Sequence, residues 1–323
     1  MVYLFFVLGL IGLWLGANTV IRGALGIARY LKMSETFIGA TIVALSTALP
    51  ELIVSITGAI EQRAGLHTSG LVIGNIMGSA MGQMSLILGI AGLLKVLDIR
   101  KKEIISNGGA MIASILGFWF LAQDGIISPT DGLFLLCGYV LYLFLLSNNE
   151  HKITRFVNKY RFRKKKIVKK FHTKQMWRFI GEFVAGLIIV TWASRVVLTE
   201  GLVIAQLLNM SQVLVGIIMV GVGTSLPELV VSVSAIMKGS SGLSVGNLIG
   251  SSIVSILLAL GLSSTIGGWV VPRSITTFDL PFLMVTSIIV MLFLITRAKL
   301  ERKESLLALA LYYGYIVLKL QGF

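Results

Sequence analysis

Apolar residues run along this chain in ten stretches, and the connections between them hold nearly all of the charge. The stretches cover residues 2–21, 36–60, 69–94, 104–123, 130–147, 179–200, 212–237, 243–265, 278–296 and 305–321. About 20 apolar residues cross a bilayer as a helix. The pattern therefore predicts an all-α polytopic membrane protein with ten transmembrane helices. The first stretch lacks a basic leader and a small-residue cleavage site, so a transmembrane helix is expected there, not a removed signal segment.

The pattern also repeats. Leu31–Ser55 aligns with Leu208–Ser232, with "TALPEL" answering "TSLPEL". Ser69–Gly89 aligns with Ser241–Gly261, where "GLVIGNIMGSA" answers "GLSVGNLIGSS". Each copy holds five spans, an odd number, so the second must enter the membrane in the opposite direction. The expected organisation is a first five-helix repeat at 1–147, a basic loop at 148–178 and a second, inverted five-helix repeat at 179–323. Secondary transporters are commonly built this way, with binding sites near the midplane where the repeats meet.

Charge fixes an expected orientation. The net charge of +14 suggests nucleic acid until the charges are located. The segment from Lys152 to Arg178 carries twelve of the 28 basic residues and no acidic one, including "RFRKKKIVKK". Basic residues accumulate in cytoplasmic connections. Placing this loop inside puts connections 22–35, 95–103, 238–242 and 297–304 inside as well. Only Arg63, Arg195, Arg273 and Lys319 then fall on the outer side. Both termini are expected outside, in a prokaryotic cell membrane. Membrane lipid is the expected partner, with no nucleic acid and no obligatory protein partner.

Only 13% of residues are charged, against about 25% in an ordinary soluble domain. The one cysteine, Cys137, excludes an intrachain disulfide. The three histidines, His67, His151 and His172, fall in connections, so histidine chemistry inside the membrane is not expected. Of the 14 acidic residues, only Glu51 and Glu228 are expected deep within spans, and both lie in the repeated block. No lysine, arginine or histidine is expected deep in a span to balance them. A carboxylate at that depth costs at least about 2.5–3.5 kcal/mol, which makes protons or bound cations the expected source of positive charge.

The neighbouring residues favour cations. Thr47 and Glu51, like Thr224 and Glu228, are four apart and share a helix face. Pro50 and Pro227 lack an amide proton and crowd the preceding turn, freeing carbonyls around Ser46 and Gly223. Irregular backbone at this depth is tolerated where it lines a cavity. The second block adds Asn75, Ser79, Asn247 and Ser251, while Gly74, Gly78, Gly246 and Gly250 provide small faces for close helix packing. The result is an all-oxygen site with two formal negative charges. Calcium, which takes 6–8 oxygens in flexible geometry, suits it better than magnesium. Sodium or protons could neutralise the same groups.

These residues resemble the sodium/calcium exchanger branch of the cation/calcium antiporter superfamily, through "STALPEL" with "GNIMGSA" and "GTSLPEL" with "GNLIGSS". The resemblance implies ten helices in two inverted repeats and exchange of Ca2+ for Na+ without a cofactor. It implies a calcium site of Glu51, Glu228, Thr47 and Thr224, with the carbonyls of Ala44 and Gly221 nearby. Ser225, Ser79 and Ser251 match hydroxyls used for sodium. Three positions depart from the family: Ala48 replaces a serine, and Gln83 and Ser255 stand where Asn or Asp is typical. Calcium/proton exchange is the alternative within transport, and a cation channel using the same glutamates is the alternative outside it. A serine hydrolase would need a base near Ser46 or Ser225, and the spans hold no histidine. An aspartyl protease would need two membrane aspartates, and none is expected deep in a span. No enzyme is expected.

Overall fold

The computed structural model describes residues 1–30, 43–98, 101–160, 173–237, 241–297 and 299–322. The start of the second expected span and much of the basic segment, 161–172, lie outside the described residues. The rest is helical apart from short connections. Helix α1 is Val2–Tyr30, followed by α2 (Ala44–Thr47) and α3 (Leu49–Arg63). Helix α4 (Ser69–Leu94) precedes α5 (Lys101–Leu121), α6 (Pro129–Tyr160) and α7 (Thr173–Leu207). Then come α8 (Gln212–Thr224), α9 (Leu226–Met237) and α10 (Ser241–Gly267). A π turn at Ile275–Asp279 leads into α11 (Leu280–Arg297), and α12 (Arg302–Leu320) ends the fold.

Six of these helices are long and apolar enough to cross a membrane, or seven if α8 and α9, bent by 42°, form one span. Local signals set several helix starts. Ser211 accepts a hydrogen bond from the Leu214 amide at the head of α8. Glu301 and Glu304 form a capping box at the head of α12, satisfying amides that the first turn leaves without partners.

Glycine decides how closely the helices approach. A Cβ on Gly9, Gly12 or Gly16 of α1 would meet Val197, Ala193 or Val190 of α7. The rising numbers on one helix meet falling numbers on the other, so α1 and α7 run antiparallel. Helices α4 and α8 run parallel instead. A Cβ on Gly74 would strike the Val213 carbonyl, and one on Gly78 would strike the Ile217 carbonyl and lie 2.7 Å from the Ile217 Cα. Backbone thus lies against backbone, as small-residue faces permit. Gly246 has nothing within 4 Å among the described residues.

Two small antiparallel pairings tie connections together. Leu97–Asp98 (β1) pairs with Lys299–Leu300 (β4), and Ile126–Ile127 (β2) pairs with Trp269–Val270 (β3). The connections before α5 and α12 therefore meet at one end of the bundle, and those after α5 and α10 meet at the other.

A buried ion pair lies outside the sequence expectations: Asp279 is a third fully buried carboxylate, and Lys319 is only 6% exposed. The Lys319 ammonium lies 3.0 Å from Asp279 Oδ2, and the Tyr315 hydroxyl donates to Oδ1 at 2.6 Å. Phe278 stacks on Tyr315 and lies beneath the Lys319 ammonium, 5.7 Å from its ring centroid. The pair is self-neutralising and clamps α12 to the start of α11. It escaped notice because each charge sits near a span end, where an interfacial position suffices to explain it.

Two outcomes are expected in denaturant titrations of the detergent-solubilised protein. Lys319→Met should destabilise by about 3 kcal/mol, because it leaves a buried carboxylate unpaired, and adding Asp279→Asn should recover most of the loss. Gly78→Ala should cost about 1–3 kcal/mol by overpacking α4 against α8, whereas Gly117→Ala, with open space around it, should stay within about 0.5 kcal/mol.

Candidate cation site at the repeat junction

Both copies of the repeated proline motif break their helices in the same way. Between α2 and α3, Ala48 has φ −79° and ψ 6°, and between α8 and α9, Ser225 has φ −83° and ψ 5°. Both residues sit near the sparsely populated bridge region of backbone conformation. Pro50 falls in the first turn of α3, where its missing amide costs nothing. Each break places a threonine before the bend and a glutamate after it.

A second irregularity is also paired. Within α4 the segment Gly82–Ile87 is a π turn, and within α10 so is Val254–Ala259. A further π turn, Gly216–Gly221, precedes the break after α8. Such turns are rare and concentrate at functional sites. Gln83 and Ser255, matched by the repeat, stand on the paired turns.

The paired π turns and the second break lie near the middle of their helices, and residues beside both breaks converge. Glu51, Glu228, Thr47, Thr224, Asn75, Asn247, Ser79, Ser251, Gln83 and Ser255 are all fully buried. The Thr47 hydroxyl lies 3.2 Å from the Ala44 carbonyl and from Asn247 Oδ1, and 3.0 Å from the Ser251 hydroxyl. The counterpart in the second copy reproduces this: Thr224 lies 3.2 Å from the Gly221 carbonyl and the Ser79 hydroxyl, and 3.0 Å from Asn75 Oδ1. Ser251 also donates to the Ala44 carbonyl and Ser79 to the Gly221 carbonyl, each at 3.3 Å. Each threonine is thus held by an asparagine and a serine from the other repeat copy.

The carboxylates occupy the centre of this oxygen-rich shell. Ser225 donates to Glu51 Oε1 at 3.2 Å, while Ser79 and Thr224 also face Glu51. Thr47 and Ser251 face Glu228, and the two carboxylates are close enough to repel each other. Among the described residues, Glu51 Oε2 and both oxygens of Glu228 have no hydrogen-bond partner. Buried charges are ordinarily paired, hydrogen-bonded or bound to metal. These oxygens, with the neighbouring carbonyls and hydroxyls, form a donor set suited to a hard cation.

Glu51, Glu228, Thr47, Thr224, Ser79, Ser225, Ser251 and the Ala44 and Gly221 carbonyls fall within this cluster, whereas Gln83 meets Ser252 and Ser255 has no hydrogen-bond partner among the described residues. Ala48 carries a methyl where Ser225 offers a hydroxyl in the other copy. Two features lay beyond the sequence. The π turns carry no composition signal of their own. Ser252 donates to Gln83 Oε1 at 2.6 Å across the repeat junction, leaving Gln83 Nε2 without an acceptor. A cleft of about 470 Å³ opens at the heads of α4 and α8, lined by His67, Ser69, Ser211 and Gln212 among others. It lies at the helix ends, away from the carboxylates.

Comparison with known proteins gives the same family as the motifs. The family model for sodium/calcium exchanger protein matches residues 1–148 and 179–321. The chain is similar to the sodium/calcium exchanger MaX1 of Methanosarcina acetivorans, 31% identical over 98% of this chain and 97% of that one. It is also 30% identical to the putative antiporter CaxA of Alkalimonas amylolytica, over 97% and 96% of the two chains. Among solved structures, the sodium–calcium exchanger NCX_Mj soaked with Na+ and Sr2+ matches with a TM-score of 0.68 and 28% identity, over 98% of this chain and 99% of that one. The chain is an integral membrane protein and belongs to the sodium/calcium exchanger family of cation antiporters.

Proposed function

We propose that the protein exchanges Ca2+ for Na+ by alternating access, binding both at the junction of two inverted repeats, 1–147 and 179–323. The observation that carries this is the convergence of Glu51 and Glu228, fully buried and, among the described residues, without a cationic side chain in contact, amid carbonyls and hydroxyls from both copies. Calcium would take the two carboxylates, the Thr47 and Thr224 hydroxyls and the Ala44 and Gly221 carbonyls, within its usual 6–8 oxygens. Sodium would use the same carboxylates with Ser79, Ser225 and Ser251. Because the two ions need common groups, one leaves as the other binds. The family supports transport over enzymatic chemistry.

The antiparallel packing of α1 on α7, and the parallel packing of α4 on α8, support ten spans in inverted repeats. With the basic loop 148–178 cytoplasmic, the proposed orientation puts both termini outside. The polypeptide is then expected to contact membrane lipid and no nucleic acid. Ser225, which gives Glu51 a hydroxyl neighbour, favours sodium over protons as the counter-ion.

The test is calcium uptake by liposomes containing the purified protein, loaded with sodium and diluted into choline. Uptake that requires internal sodium is expected. Uptake driven only by a matched pH gradient would transfer the site to proton exchange, and uptake without any counter-gradient would indicate a channel. In the same assay Glu51→Gln and Glu228→Gln should each lower uptake by more than about 100-fold, equivalent to about 2.7 kcal/mol. Both should unfold no more easily than the parent, since each removes an incompletely paired buried charge. Ser225→Ala should raise the sodium needed for half-maximal uptake by about fivefold, for the loss of roughly 1 kcal/mol of ligand contact.

A further inference from the structure

We propose that one face of α7, carrying Trp192, Arg195 and Thr199, binds the phosphate of a phospholipid in the leaflet at the end of the bundle where α1 begins. This does not depend on which ions the protein exchanges.

Arg195 is the charge that calls for a partner. Helix α7 is long and apolar enough to cross a membrane over Gln175–Leu207, and Arg195 lies within that stretch. Its side chain is exposed. Among the described residues it makes no ion pair or hydrogen bond. The next acidic residue on the helix, Glu200, is five positions on and about 140° round the axis, on a different face.

The packing of α1 against α7 gives the depth of this charge. A Cβ on Gly9 would meet Val197 and Val196, and one on Gly12 would meet Ala193. Arg195 is therefore level with residues 10–11 of α1. Towards its start, α1 exposes Leu8, Phe5, Leu4 and Tyr3 over about 10 Å of helix. In the other direction Ile11 of α1 and Ile188 of α7 are exposed. The arginine thus sits inside an apolar belt, beneath its edge, where an unpaired charge is costly. A guanidinium matches the geometry of a phosphate, which it grips by parallel charge-assisted hydrogen bonds.

The same face supplies two further donors. Trp192 and Thr199, three positions before and four after Arg195, share its side of the helix and are exposed. The Thr191 hydroxyl is returned to the Leu187 carbonyl at 2.8 Å, but that of Thr199 makes no such bond and is left to donate outwards. Tryptophan concentrates at headgroup level, where its indole N–H finds polar partners. Three outward donors without an acceptor among them suit an anion with several oxygens. The bond between Ser194 and Thr57, 3.1 Å long, ties this part of α7 to α3, which carries Glu51 in its first turn. A headgroup held at Arg195 would fix the depth of α7 beside that helix.

The test follows thermal unfolding of the detergent-purified protein as phosphatidylglycerol is titrated in, with diacylglycerol of the same chains and inorganic phosphate in parallel. Phosphatidylglycerol should raise the unfolding temperature, and the other two should not. Arg195→Gln should need about tenfold more phosphatidylglycerol for half of the shift, and Thr199→Val about threefold more, as expected for losing one charged and one neutral contact. Arg63→Gln, at the same end of the bundle, should respond as the parent does. Without lipid, Arg195→Gln should unfold no more easily than the parent, since it removes a charge from an apolar surface. Equal responses of the parent and Arg195→Gln, or no shift in the parent, would overturn the proposal. An equal shift from diacylglycerol would also overturn it, by assigning the effect to acyl chains alone. So would an equal shift from inorganic phosphate, which would mean an anion site without a lipid.

Discussion

Everything in this structure is arranged around the cost of placing two carboxylates inside a membrane protein without a basic side chain beside them. Glu51 and Glu228 are completely buried, and among the described residues three of their four oxygens have no hydrogen-bond partner. A fold selected for stability alone would have used apolar residues there, since buried charge is retained at a cost. The contrast with Asp279 is instructive. There a lysine and a tyrosine close the account within the protein, and the carboxylate serves as a clamp. At the repeat junction the balancing charge must come from solution, and its identity becomes the function.

The backbone is bent to serve the same end. Two proline breaks and paired π turns interrupt regular helices, so that carbonyls, hydroxyls and carboxamides can surround the carboxylates. Irregular backbone in a bilayer needs protein cover. The glycine contacts of α4 on α8 provide it by bringing two backbones together, which also delivers Asn75 and Ser79 to Thr224. Repetition of the block makes one set of sequence signals furnish both halves of the shell. Substitutions at single positions, Ala48 against Ser225 and Ala80 against Ser252, then make the halves unequal.

Much of this was legible in the sequence because the signals are local or duplicated. Hydropathy located the helices, and the repeat located Glu51, Glu228, Thr47 and Thr224. Ala44 and Gly221 followed from the family resemblance, and the structure places both carbonyls within reach of the threonines. The π turns were not legible, because periodicity assumes 3.6 residues per turn and a single wide turn leaves the composition unchanged. The contact of Ser252 with Gln83 depends on that widened backbone and on which helices meet, so neither residue announces it. The Asp279–Lys319 pair joins residues 40 positions apart, and in the sequence each resembles an ordinary charge at a membrane surface.

The central claim is that calcium and the counter-ion compete for one pair of carboxylates. Equilibrium binding of calcium to the purified protein in detergent, measured across a sodium titration, addresses it most directly. One calcium per chain should bind, and sodium should displace it completely. Calcium that remains bound at saturating sodium would mean separate sites, and would contradict the account.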